Sequence, residues 1–222
     1  KQTKQFLPIA AAQENKAVID WANFTPVKPK KTGVQKFDNY DLAEIAAYID
    51  WQPFFIAWEL HGKFPEILKD EVVGVEATRL FNDARELLDK VIKEKWLTAN
   101  AVIGLFPASK VAADSVKVTP EQAEIAPVQL EFLRQQVKKA PGQPNLSLAD
   151  FIAPAASGKT DYIGGFAVTT GIGIEKWLDK FKAEHDDYNS IMLKALADRL
   201  AEAFAELRHE RVRKELWGYA AE

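Results

Sequence analysis

Near residue 100 the spacing of apolar side chains changes, and this change constrains the fold more than any other feature of the chain. Before it, from Asp70 to about Lys95, Val73, Ala77, Leu80, Phe81, Ala84, Leu87, Leu88 and Val91 recur at three- and four-residue steps, which predicts a helix with one apolar face. Glu86 with Lys90 and Asp89 with Lys93 add i,i+4 pairs on its wet face. After it, AVIGLFPA (101–108) is a short buried run and SVKVT (115–119) alternates, which predicts antiparallel strands joined by a loop. DYIGGFAVTTG (161–171) reads as a further strand, ended by Gly171 and Gly173. A helix then runs from near Ile174 to about Asp186, and a long one from about Tyr188 to Tyr219. Helices, then strands, then helices make an α+β fold rather than alternating βαβ units.

The other segments fill in around this order. Residues 1–36 contain KQTKQFLP and TPVKPKKTG, with Pro8, Pro26 and Pro29 and no helical or strand periodicity, so they read as a linker and an extended arm. IDW (19–21) is expected to pin part of that arm. DLAEIAAY (41–48) has Asp41 and Glu44 at capping-box spacing and predicts a short helix. In IDWQPFFIAWEL (49–60), Pro53 argues against a regular central strand. QLEFLRQQ (129–136) reads as strand running into helix, PGQPN (141–145) as a loop and LADFIAP (148–154) as a short element.

Composition excludes several classes. A net charge of -3 supplies no broad basic field for nucleic acid. No apolar run approaches the ~20 residues that span a bilayer. Cysteine is absent, which rules out disulfides and thiolate metal sites and fits the cytoplasm. The first residue is Lys1, and no secretory signal is visible, so a chain excised from a longer one is expected.

Two glycine motifs are incomplete. SGKT (157–160) resembles a phosphate loop, but position 153 is Ala where that motif needs Gly, so a surface turn before a strand is expected. GIG (171–173) has Lys176 where a dinucleotide fingerprint needs its third glycine, which leaves a tight strand-to-helix turn. The last helix says more. Asp198, Glu202, Glu206 and Glu210 stand four apart in one stripe of like charge, and each such pair costs a helix ~0.2–0.5 kcal/mol. Arg199, Arg208, Arg211 and Arg213 can offset part of this. The stripe is either a solvated face or one on which an acid or two meets a cationic ligand. Glu206 and His209 make a Glu-x-x-His step, but Trp58 and Lys182 stand three before His61 and His185, so no second step completes a di-metal site. Asp50, set among Trp51, Phe54, Phe55 and Trp58, is either a cap for a backbone N–H or a carboxylate that accepts hydrogen bonds from a ligand.

Several stretches together resemble a known family. YIDWQPFFIAWELHGKFPEIL (48–68), DEVVGVEATRLFNDARELLD (70–89), VIGLFPA (102–108), LADFIAP (148–154), SGKTDYIGGFAVT (157–169) and HDDYNSIMLKALADRLAEAFAELRHERVRKELWGYA (185–220) are similar to the activation domain of cobalamin-dependent methionine synthase. PIAAAQENKAVIDW (8–21) resembles the linker that joins that domain to the cobalamin-binding domain. The resemblance implies a curved antiparallel sheet with helices packed around it, a linker at 1–18 and the domain from 19 to 222. It implies that S-adenosylmethionine is bound, with Asp50 of the YIDW motif and Glu202 of the LAEAFAE helix at the ligand. It implies reductive remethylation of inactive cobalamin held by a neighbouring domain, an electron from flavodoxin or a flavoprotein reductase, and zinc in a distant domain. No catalytic nucleophile is expected here, because the methyl passes to cobalt held elsewhere. The family continues past WGY with an Arg-Pro-Ala-Pro-Gly-Tyr segment, absent here, so a domain lacking its C-terminal part is expected. A structural module docking on the cobalamin domain and flavodoxin without a ligand is the alternative, and a carboxylate metal protein is a third reading.

Overall fold

The computed structural model describes residues 4–121 and 124–221. Lys1, Gln2 and Thr3 of the expected linker, and Glu222 at the expected domain end, lie outside the described residues. The elements are α1 (Ile9–Glu14), β1 (Gly33–Phe37), α2 (Leu42–Ala46), α3 (Gln52–Ala57), α4 (Gly74–Lys93), β2 (Thr98–Lys110), β3 (Ser115–Val118), β4 (Val128–Glu131), β5 (Asp161–Ile172), α5 (Ile174–Ala183) and α6 (Asp187–Arg211). Strands β1, β2, β3 and β4 lie in that order in one five-stranded sheet, and β5 pairs with β2. The pairing is antiparallel where β3 meets β2, with Val118 opposite Ala108, and where β4 meets β3, with Leu130 opposite Val116. The fold is α+β with a long C-terminal helix, as the change of period predicts.

The chain forms two units. A helical unit comprises Gln35–Val102 and Phe166–Arg211, and a sheet unit comprises Lys1–Val34, Ile103–Gly165 and Val212–Glu222. In the helical unit, α6 packs against α2, α3, α4 and α5. Met192, Leu193, Leu196, Leu200, Ala203, Phe204 and Leu207 of α6 are all buried at helical spacing. Phe54 and Phe55 of α3 are fully buried, and Trp51 meets Phe54 and Phe81 edge-on at 5.5 and 4.9 Å. Pro53 lies in the first turn of α3, where its missing N–H costs nothing.

The sheet unit has a smaller apolar cluster, Ala108, Val116, Val118 and Ala149. Beside it lies a buried ionic network. The wholly buried Arg134 side chain donates to both oxygens of Asp150 at 2.7 Å, to Asp114 at 2.8 Å and to the Asn145 carbonyl at 2.6 Å. Lys110 donates to Asp150 at 2.8 Å. The arm joins this network: Gln13 donates to Asp114 at 2.7 Å, and Asn15 donates to the Asn145 side chain at 2.8 Å. Ile19 and Trp21 of IDW are half-buried, and Lys159 donates to the carbonyls of Ala22 and Phe24 just beyond.

Three sequence expectations need correction. The arm is not irregular throughout, since it holds α1 and the start of β1. A helix as short as α1 gains little from propensity, and the side-chain bonds of Gln13 and Asn15 with burial of Ala12 hold it. No helix follows β4: the N–H groups of Phe132 and Gln135 donate to the carbonyls of Asp114 and Leu146, not to carbonyls four residues back. The long helix is α-helical only to Arg211, then passes through a π-helical turn, Val212–Leu216, before Trp217–Tyr219 leave the helix. Gly173, at φ 93°, makes the tight turn from β5 into α5, and Gly158, at φ 68°, closes the SGKT turn before β5. No helix among the described residues is long and apolar enough to cross a membrane.

Candidate functional site

The segment after α2 and one face of α6 enclose a recess in the helical unit. The Asp41 side chain caps α2 by accepting from the Ala43 N–H at 2.9 Å. Past α2, the N–H groups of Tyr48 and Ile49 donate to the carbonyls of Ile45 and Ala46, and the chain turns into α3. Ile49 and Trp51 are half-buried, whereas Asp50 between them is exposed. One Asp50 carboxylate oxygen accepts from the Gln52 N–H at 2.9 Å, so its local role is a turn cap. The other oxygen has no protein partner among the described residues.

On α6, Arg199, Glu202, Ala203 and Glu206 stand at steps of three and four and share a face. With Tyr48 and Asp50 they line a recess of about 280 Å³. Ala203, 2% exposed, is a small floor that leaves this space open. Arg199 donates to Glu202 and, at 2.6 Å, to Asp198. Glu206 has no hydrogen bond or ion pair among the described residues. The lining therefore carries three carboxylates against one guanidinium. They do not converge on a point: among the described residues, no group of three or more His, Asp or Glu side chains is placed to hold a metal ion.

Below the recess, side chains tie the 40–48 segment to α6. The Tyr48 hydroxyl donates to Glu210 at 2.5 Å, and that bond, ahead of burial, raises the phenol above its ordinary pKa. Arg211 donates to Glu44 at 2.9 Å. Arg208, 3% exposed, donates to the Tyr40 hydroxyl at 2.7 Å and lies 4.6 Å from the Phe37 ring centroid and 4.3 Å from that of Tyr40. A larger recess of about 630 Å³ lies in the sheet unit, lined by Lys16–Ile19 and Trp21 with residues 110–113 and 154–156. Its Lys110 and Asp150 are already paired with each other, so the helical unit holds the better candidate.

Asp50 and Glu202, singled out in the sequence, thus line one recess. Glu206 was visible as a member of the acidic stripe and of the Glu206–His209 step, and Arg199 only as an offset to the stripe. Tyr48 was missed, although its spacing two residues from Asp50 was a usable signal.

Residues 41–222 match the family described as vitamin B12 dependent methionine synthase, activation domain. The chain is also similar to a solved structure of the MetH reactivation domain bound to AdoHcy, at 50% sequence identity and a TM-score of 0.90. That likeness covers 97% of this chain and spans 66% of the other. The capped turn at Asp50 and the acidic face of α6 thus belong to a member of the activation-domain family of vitamin B12 dependent methionine synthase.

Proposed function

We propose that this chain binds S-adenosylmethionine in the recess between Tyr48–Asp50 and α6, and serves the reductive remethylation of cobalamin in a methionine synthase. The observation that carries this reading is the 50% identity to a reactivation domain bound to AdoHcy, the demethylated form of that ligand. The free Asp50 oxygen is available to the ligand's N–H or O–H donors. Glu202, held in place by Arg199, is a carboxylate that the ligand's ammonium could share through a hydrogen bond.

Cobalamin would supply the methyl acceptor from a neighbouring domain, and the residues here suit the donor side only. His61, His185 and His209 are exposed, and none of them lines either recess described above. Zinc belongs to a distant domain, flavodoxin or a flavoprotein reductase would bring the electron, and the setting is cytoplasmic. Residues 1–18 would link to the cobalamin domain, with α1 docked through Gln13 and Asn15, and residues 19–222 would form the activation domain.

Calorimetric titration of S-adenosylmethionine into this chain, and into the longest chain its gene encodes, tests the reading. Asp50→Asn and Glu202→Gln should each weaken binding by about ten- to hundredfold, the range for hydrogen bonds to charged groups. Unchanged affinity in both variants would move the site elsewhere.

A further inference from the structure

The acids of the recess are not equivalent. Asp50 gives one oxygen to the Gln52 N–H, and Glu202 is engaged by Arg199, which also holds Asp198. Glu206, one turn of α6 beyond Glu202 and on the same lining, has no hydrogen bond or ion pair among the described residues. Among the described residues it is the acid of the recess that no hydrogen bond or ion pair engages; Asp50 also lacks a cation, but a backbone N–H meets part of its charge.

S-adenosylmethionine and its demethylated product differ at one atom. The donor carries a sulfonium. Once its S–CH3 bond breaks, with the bonding pair left on sulfur and the methyl transferred to the acceptor, the sulfur is a neutral thioether. Ammonium, carboxylate, ribose and adenine are common to both. An ammonium donates hydrogen bonds and can share a carboxylate that is already bonded. A sulfonium has no N–H or O–H to donate, so it gains only by Coulomb attraction, which is strongest toward an acid with no competing cation.

We infer that Glu206 is the specificity-determining residue of the recess, favouring the sulfonium donor over its thioether product and so promoting product release after methyl transfer. The inference rests on the recess reading above and adds a role that reading does not assign.

Titrations of both compounds at low and moderate salt test it, with native protein, Glu206→Gln and Glu206→Asp, in this chain and in the longest chain its gene encodes. Glu206→Gln should weaken S-adenosylmethionine by about tenfold, what the loss of a half-screened ion contact makes, and leave AdoHcy within about twofold. The preference of the native protein should shrink as salt rises, and Glu206→Asp should keep part of it. Equal losses for both compounds, or none for either, would overturn the role of Glu206 while the recess reading stands. If the native protein binds neither compound, the recess reading fails and this inference with it.

Discussion

The helical unit and the sheet unit are held by different physics. In the helical unit, α6 lies among four helices, and its buried side chains are almost all hydrocarbon. In the sheet unit, the apolar cluster is small, and a guanidinium, an ammonium and two carboxylates occupy the interior beside it. Hydrocarbon packing is forgiving of chemistry and strict about volume. A buried ionic network is the reverse: nearly any loss of one member leaves an opposite charge stranded in low dielectric.

The sharpest way to break this contrast is Arg134→Met. It leaves Asp150 and Asp114 without their main cation and should cost about 3–5 kcal/mol in denaturant unfolding. Arg134→Met combined with Asp150→Leu should cost much less than the two changes summed, because the second removes the charge the first strands. Additive losses would mean that the network behaves like ordinary packing. Next, Leu200→Ala in the helical core should cost about 3 kcal/mol through the cavity it opens, with little dependence on salt.

The third and smallest effect separates the units by pH. Burial works to raise the Asp150 and Asp114 carboxyls, but hydrogen bonds outweigh it, from Arg134 and Lys110 on Asp150 and from Gln13 and Arg134 on Asp114, and hold both below the usual range. Their contribution is present above the unfolded value of about 4 and is lost as pH falls through the folded values. In the helical unit, burial and then the hydrogen bond to Asp83 push the Tyr188 phenol up to about 12. Its contribution is present below the unfolded value of about 10 and is lost as pH rises toward 12. Hydrogen exchange should therefore show the sheet unit opening first in acid and the helical unit first in alkali. Tyr188→Phe should shrink the alkaline limb and leave the part that the raised Tyr40 and Tyr48 phenols supply.

Legibility in the sequence followed the same division. Where burial is apolar and regular, as along α4 and α6, spacing alone located the elements, because a helix repeats its buried face every three or four residues. Where backbone donors go to distant loops, as at 132–138, no local pattern records it, and a helix was expected that does not form. Arg134 stands in a polar run and reads as a surface residue, yet its side chain is wholly buried. Of the site, Asp50 and Glu202, named from the residue pattern and then from the family resemblance, lie on one recess, while Tyr48 enters only through the packing of the 40–48 segment on α6.

The π-helical turn after Arg211 has a consequence of its own. The buried side chains Leu200, Phe204, Arg208, Val212 and Leu216 stand four residues apart, straight through that turn. In an α-helix a four-residue step overshoots one turn by about 40°, and the wider π-helical turn takes up part of that drift between Val212 and Leu216. The turn works as a phase correction on the helical wheel. A single-residue deletion between 212 and 215 would turn Leu216 about 100° off that line.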